Sequence, residues 1–288
     1  MTTTATSTDP VAARHEQRIA AHARAAAGPR GPASFVWGDF VTEPGTTVAG
    51  APGTWAPLPA GQRGLLVTAT AADGIRLRNT DDKSDTNGSM VDGNAVLYAD
   101  PADGPAVARF PDGAEGIIFT YDDTKYALQV WNPNSDWARR FAGISAFPYD
   151  PSWVLTADIV PVVGGRTVAI AHHRDPRPVD VPVVADVSFV VDGRTYTLAA
   201  TSPGPDHDGL AVLFTDATTG EETYGAGRVL RLNASPGPTR IDFNDVSLLP
   251  CSFSLAWNCP IPPVGNNLPF PVRAGERRAI DHEGKALL

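Results

Sequence analysis

The two cysteines of the chain, Cys251 and Cys259, lie close together near the C-terminal end, in the stretch CSFSLAWNC. A thiol acts as a nucleophile when a base stands beside it, so Cys251 is a candidate catalytic residue. The spacing is too wide for the CxxC motif of redox proteins. Two structural alternatives stay open for Cys251 and Cys259: they are small buried residues, or they close a disulfide.

No metal site is predicted. No histidine or further cysteine lies near enough in sequence to complete the four ligands of a structural zinc site around the cysteines. The polar stretch NTDDKSDTNGS at residues 79–89 carries carboxylates. It lacks the spacing and the closing glutamate of an EF-hand loop, so it is interpreted as a mobile loop.

Arg228 and Asp242 form the second candidate group. Arg228 follows Gly-Ala-Gly, and glycines so close to an arginine allow an unusual φ or a close backbone approach. Asp242 lies between two apolar residues of a predicted strand, so its side chain points opposite to theirs. If it faces inward it needs a partner, and Arg228 is the natural one. The pair either fixes strand register or forms a catalytic site, in which Arg228 holds a substrate carboxylate or carbonyl and Asp242 orients it.

Further polar and aromatic residues surround these positions. The candidate substrate-binding residues are Tyr224, Asn244, Trp257 and Asn266. Alternatively, the asparagines cap turns and Trp257 packs against the core. Glu276 is a weaker candidate, either as an acid–base group or as the partner of a following arginine.

The elements that must position these residues are predominantly strands. Short runs rich in Val, Ile, Leu, Thr and Phe are separated by turns rich in Gly and Pro, which number 27 each. This pattern predicts an all-β, mainly antiparallel barrel or sandwich, with two packed β subdomains as an alternative. RGLLVTATAADGIRLRN predicts a hairpin that turns at residues 72–74.

One N-terminal α-helix is predicted over residues 9–27, because Asp9 can cap it, Pro10 suits its first position and Gly28 ends it. A disordered tail is expected at residues 1–8 and a flexible one at 279–288. Residues 35–278 are predicted to form a single β unit, with a division near residue 160 as an alternative. The proline-rich stretch CPIPPVGNN cannot pair in a central strand, so it is expected to form a rigid lid over one mouth of the β structure.

Composition excludes several function classes. The net charge is −9 and no basic stripe is present, which argues against nucleic acid and anionic membrane surfaces. No apolar run approaches the roughly 20 residues of a membrane-spanning helix. No secretory signal is recognised, so a cytoplasmic location is predicted. GxSxG, HExxH, Walker and dinucleotide motifs are missing, so no cofactor is expected. The partner is predicted to be a small molecule; the oligomeric state stays open.

The C-terminal half resembles a known bacterial family. The stretches TYGAGRVL (223–230) and DFN (242–244), Pro250-Cys251, Cys259-Pro260 with the prolines at 262–263, and Asn266 are similar to the signature of the DUF1684 family. That signature runs approximately TYGGGR, LDFN-x-AYNPPC, CPLPPxEN and AGE. The resemblance spans roughly residues 35–276. It implies a fold-sized unit and little chemistry, because the family has no assigned function.

The chain departs from the family pattern where chemistry could reside. Ser247, Leu248 and Leu249 replace Tyr, Asn and Pro, and Gly265 replaces Glu. We therefore expect a divergent member with a role in specialised metabolism. The leading hypothesis is a cofactor-independent hydrolase, lyase or cyclase that acts on a carbonyl or carboxylate substrate. The alternatives are a non-catalytic β module that binds a small ligand and a protein-interaction scaffold.

Overall fold

A computed structural model describes residues 9–78, 88–99, 106–120, 125–204, 208–233 and 236–288. The predicted tail at 1–8 and nearly all of the 79–89 loop lie outside these residues. Helix α1 (Pro10–Ala26) opens the described chain, and antiparallel strands dominate the rest. The prediction of an all-β protein with an N-terminal helix is confirmed.

The chain divides into two compact units, and the boundary differs from the one considered from sequence. One unit comprises residues 26–140. The other, called here the 141–288 unit, also includes the described residues up to Ala25. The break therefore falls between Arg140 and Phe141, not near residue 160.

The 26–140 unit contains two antiparallel sheets in its described part. The elements, numbered along the chain, are β1 (Phe35–Phe40), β2 (Thr46–Val48), β3 (Ala51–Pro57), β4 (Gly64–Ala69), β5 (Arg76–Arg78), β6 (Ser89–Met90), β7 (Gly93–Tyr98), β8 (Val107–Arg109), β9 (Glu115–Thr120), β10 (Tyr126–Trp131) and α2 (Asp136–Arg140). The strand order is β1-β10-β9-β8-β5-β6 in one sheet and β2-β3-β4-β7 in the other. Trp55, Leu65, Leu97 and Leu128 are fully buried in its core.

The hairpin predicted across residues 72–74 is wrong. Strand β4 pairs with β3 and β7, whereas β5 belongs to the other sheet. Thr70 and Asp73 form a reciprocal capping box, which closes a 3-10 turn at Ala71–Asp73. That turn sends the chain from one sheet to the other.

The 141–288 unit is built on a larger antiparallel sheet. The strands of this unit are β11 (Phe141–Ala146), β12 (Val154–Pro161), β13 (Thr167–Ile170), β14 (Val179–Val191), β15 (Arg194–Thr201), β16 (Leu210–Phe214), β17 (Arg228–Leu232), β18 (Gly237–Asp242) and β19 (Glu276–Asp281). Among the described residues, the order of the larger sheet is β17-β16-β15-β14-β12-β18, with β13 pairing to β14. Strand β11 pairs with β19 in a second sheet.

Alternation along β14 explains how this sheet forms one core face. Val183, Ala185, Val187 and Phe189 are buried, while the intervening residues are more exposed. A two-residue turn, with positive φ at Asp192 and Gly193, joins β14 to β15. The core of the unit lies on the buried face of these strands.

The C-terminal segment between β18 and β19 runs without a regular strand, as its prolines predict. Its residues Leu268, Val272 and Ala274 are buried in the core of the unit. The final residues are not a free tail: β19 extends to Asp281 and Leu287 is buried. No helix within the described ranges is long and apolar enough to cross a membrane.

Candidate functional site

Arg228 is enclosed by protein. Its side chain is fully buried, and its Nη1 donates to the carbonyl oxygens of Ala274 at 2.7 Å and Glu276 at 3.1 Å. Its Nη2 donates to the carbonyl oxygen of Val272 at 2.7 Å and to Asp216 Oδ2 at 2.8 Å. Burial lowers the pKa of Arg228, an effect that Asp216 opposes. Both terminal nitrogens are occupied, so this guanidinium holds the C-terminal segment onto the sheet.

The predicted Arg228–Asp242 pair is wrong. Asp242 Oδ2 accepts a hydrogen bond from Arg240 at 2.9 Å, and its Oδ1 accepts from the main-chain amide and the Nδ2 of Asn244. Residues two apart on a strand share a face, which places Arg240 next to Asp242. Asp242 therefore caps the 3-10 turn Phe243–Asp245 and does not orient a substrate-binding arginine.

Asn244 and Asn266, both predicted to contact substrate, are instead buried and bonded to main chain. Asn244 Nδ2 donates to the Asp150 carbonyl at 2.8 Å, and its Oδ1 accepts from the Asp150 amide. Asn266 Nδ2 donates to the carbonyls of Ala199 and Leu213, and its Oδ1 accepts from the Ala199 amide. Both amides have used their donors inside the fold, so their role here is structural.

Cys251 and Cys259 are adjacent free thiols. The Cys251 amide donates to Cys259 Sγ at 3.1 Å, and the Tyr224 hydroxyl donates to the Cys251 carbonyl at 2.9 Å. A hydrogen bond from the Cys259 thiol lowers the pKa of Cys251, and the same bond raises the pKa of Cys259. Burial raises the pKa of Tyr224. Cys251 is 0% exposed, so its thiol has no open surface for a substrate.

Trp257 lies at the edge of the apolar cluster that surrounds the cysteines. The buried members of this cluster include Val229 and Leu249, and Tyr224 and Trp257 pack against it while partly exposed. Trp257 thus contributes to holding the C-terminal segment in place. Leu249, one of the departures from the family pattern, supplies apolar contact where the pattern has proline.

A cavity of about 210 Å³ lies at the turn that precedes Arg228. Its wall includes Gly220, Tyr224, Gly225, Ser252 and Arg278, with Ala279 and Leu288 also lining it. Of the predicted site residues, only Tyr224 lines this cavity. Arg228 and Asp242 do not line it.

Glu276 pairs a buried carboxylate with a histidine, two groups that can exchange a proton. Its side chain is 0% exposed, and its Oε1 lies 2.8 Å from His22 Nδ1. Its Oε2 accepts a hydrogen bond from the Leu248 amide at 2.8 Å. Any residue except proline can supply that amide, so the change to leucine at position 248 preserves it.

Helix α1 supplies the partners of Glu276. Arg18 Nη1 lies 3.6 Å from Glu276 Oε1, and Arg18 Nε lies 3.2 Å from Asp245 Oδ1. His15, Arg18 and His22 recur at helical spacing, so they share one face of α1. That face was not predicted from the sequence. The spacing of these basic residues was the available signal.

Comparison with known proteins assigns the C-terminal half to a family. The model described as "Protein of unknown function (DUF1684)" matches residues 139–277. The chain belongs to the DUF1684 family. The match spans residues 139–277, so it covers most of the 141–288 unit and does not reach the residue 35 expected from sequence.

A solved structure is also similar to this DUF1684 protein. It is a solution NMR structure of an uncharacterized protein from Haloarcula marismortui, with 34% identity. The alignment covers 48% of the present chain and 77% of the other, with a TM-score of 0.40. No curated protein matches the chain significantly.

Several residues of the DUF1684 signature hold the fold together through hydrogen bonds to main-chain groups. Arg228, Asn244 and Asn266 are buried signature residues whose side chains bind main-chain groups. Glu276 differs from these three because one of its oxygens bonds a side chain that solvent can reach.

Proposed function

We propose that this DUF1684 protein is a cytoplasmic enzyme that acts on a small carbonyl- or carboxylate-containing molecule, with His22 as the general acid–base group. Glu276 is the positioning residue that holds His22. The observation that carries the proposal is the 2.8 Å contact between the buried Glu276 carboxylate and a histidine side chain that remains 30% exposed.

The contact fixes which ring nitrogen of His22 can accept a proton. A carboxylate oxygen accepts hydrogen bonds, so we assign the hydrogen between His22 Nδ1 and Glu276 Oε1 to Nδ1. Nε2 is then the basic nitrogen, and no described residue bonds to it. The Phe253 ring, 5.7 Å from the imidazole in an edge arrangement, limits how the ring can turn.

The proposed chemistry needs neither metal nor nucleotide. In hydrolysis, Nε2 takes a proton from water while the water oxygen attacks the substrate carbonyl carbon, and it then returns the proton to the leaving group. In a lyase or cyclase, Nε2 takes a proton from the substrate itself. The departures at residues 247–249 and 265 support a role in specialised metabolism, since they alter a signature region without removing Glu276.

The test is a turnover screen with a histidine variant. Purified protein is assayed against small esters, lactones, thioesters and hydroxy acids, and any active substrate is re-assayed with His22→Gln. We expect His22→Gln to reduce kcat/KM by about 10²–10⁴-fold, the range of general acid–base contributions. His173→Gln is the matched control because His173 is exposed and lies elsewhere on the unit.

Two further readouts separate catalysis from structure. Thermal unfolding of His22→Gln shows whether the variant remains folded. The second readout is the kinetics of Glu276→Gln, which keeps an acceptor for the Leu248 amide. This variant should lower kcat with little change in KM. Equal activity of His22→Gln and wild type on every converted substrate would overturn the proposal. Binding without turnover would favour a non-catalytic ligand-binding module. The absence of both binding and turnover would favour a protein-interaction scaffold.

A further inference from the structure

The cavity beside Tyr224 contains a buried hydroxyl with no protein partner. Ser252 lines the cavity and is 1% exposed, and its Oγ makes no hydrogen bond within the described residues. Leaving such a group unpaired costs about 1–3 kcal/mol. A bound molecule with a polar atom at this position would remove that cost.

Arg278 gives the same cavity a positive charge. Its Nη2 donates to the carbonyl oxygens of Gly220 and Glu221. Within the described part of the chain, its Nε and Nη1 have no partner and it forms no ion pair. Carbonyl contacts orient a guanidinium without neutralising it, so an anion can still bind.

Two glycines keep the cavity open. A Cβ atom at Gly220 would meet nothing within 4 Å, and one at Gly225 would meet only the Gly220 Cα, at 3.9 Å. Gly225 does not have positive φ, so an ordinary side chain is compatible with its backbone. A larger residue at position 225 would therefore occupy this space without backbone strain.

We propose that this cavity is a binding site for a short-chain carboxylate, held by Arg278 and Ser252. The carboxylate bonds the Nε and Nη1 edge of Arg278, and an oxygen of the ligand bonds Ser252 Oγ. Ala279 and Leu288 provide apolar contact for the short chain. The volume of about 210 Å³ is below the roughly 300–1,000 Å³ of pockets for drug-sized ligands, so the ligand must be compact.

The site is independent of the acid–base pair proposed above, because it shares no residue with His22 and Glu276. Failure of carboxylate binding would leave the His22 proposal untouched, and loss of activity in His22→Gln would say nothing about the cavity. The two proposals are therefore tested separately.

Titration with defined probes tests the site. Acetate and lactate, with the neutral analogues acetamide and lactamide, are titrated into the ¹⁵N-labelled full chain at constant ionic strength while amide shifts are recorded. We expect saturable shifts at residues around the cavity for the carboxylates only. Arg278→Met should weaken binding at least about tenfold, as expected for a charge-assisted contact, and Ser252→Ala should weaken lactate binding.

Gly225→Val should abolish binding by filling the cavity. Gly265→Val is its control, because a Cβ at Gly265 meets nothing within 4 Å and Gly265 does not line the cavity. Arg273→Met is the control for charge, since Arg273 pairs with Glu222 and does not line the cavity. Both controls should bind as wild type does. Absence of saturable carboxylate binding, equal binding of the amides, or equal weakening by Arg273→Met would overturn the proposal.

Discussion

Individual residues of the DUF1684 signature serve mainly to satisfy buried polar groups. Arg228 joins three carbonyls and one carboxylate, which a neutral side chain could not do. Removing one partner of a buried ion pair is costly because the remaining charge stays in a medium of low polarity. The arginine at this position therefore has a structural role, through its contacts with Asp216 and the three carbonyls.

Arg228→Met should therefore destabilise the 141–288 unit by about 3–5 kcal/mol, since Asp216 would remain buried without its cation. Arg240→Met removes one partner of Asp242 near the surface and should cost no more than about 1 kcal/mol. Urea unfolding of the two variants measures both values. A fully stable Arg228→Met protein would contradict the structural role and restore Arg228 as a candidate for substrate binding.

The sequence identified Arg228 as important but not its partner. Asp216 lies just beyond the end of β16, and Arg228 begins β17 opposite Phe214. That register brings Asp216 to the guanidinium, and turn lengths in the intervening segment cannot be read from residue types. Glu276 was likewise noted, but His22 lies 254 residues away on another element. Contacts of this kind depend on tertiary packing.

Among the elements, β15 and β16 share the shortest described register of the large sheet. Their described register consists of the single pair Thr201 and Ala211. Asn266 compensates, because its side chain bonds Ala199 on β15 and Leu213 on β16. The Asn266 side chain, from the irregular C-terminal segment, thus bonds main-chain groups of β15 and β16 that do not bond each other.

Asn266→Ala should lower the free energy of unfolding by about 2–3 kcal/mol, because it leaves one amide and two carbonyls unpaired. It should also speed hydrogen exchange at the Ala199 amide. Asn267→Ala is the control, since Asn267 is exposed and its side chain bonds the Thr215 hydroxyl. If the Ala199 amide exchanges at the wild-type rate in Asn266→Ala, the strands are held by other contacts.

Strands were the most predictable elements, and helix α1 was predicted almost to its ends. Period-two alternation and proline- and glycine-rich turns mark the strands, and Asp9, Pro10 and Gly28 delimit the helix. The sheet in which a strand lies was less predictable. The capping box after β4 redirects the chain through hydrogen bonds that compete with a hairpin turn.

At the scale of the whole molecule, each unit has its own hydrophobic core. The core that includes Trp55, Leu65 and Leu128 lies entirely within residues 26–140. The core that includes Phe189 and Phe243 lies within residues 141–288. The 141–288 unit also depends on a distant piece of chain, because α1 supplies His22 and Arg18 to Glu276.

Isolated fragments should therefore behave unequally. A fragment of residues 26–140 should fold alone, since its core is complete, and should give dispersed NMR spectra and a cooperative thermal transition. A fragment of residues 141–288 should unfold at a lower temperature than the same unit in the full chain, because Glu276 would be buried without its basic partners. Adding a peptide of residues 9–28 should restore part of that stability, whereas the same peptide with His22→Gln and Arg18→Gln should not. Equal stability of the fragment with and without the peptide would mean that α1 does not support Glu276.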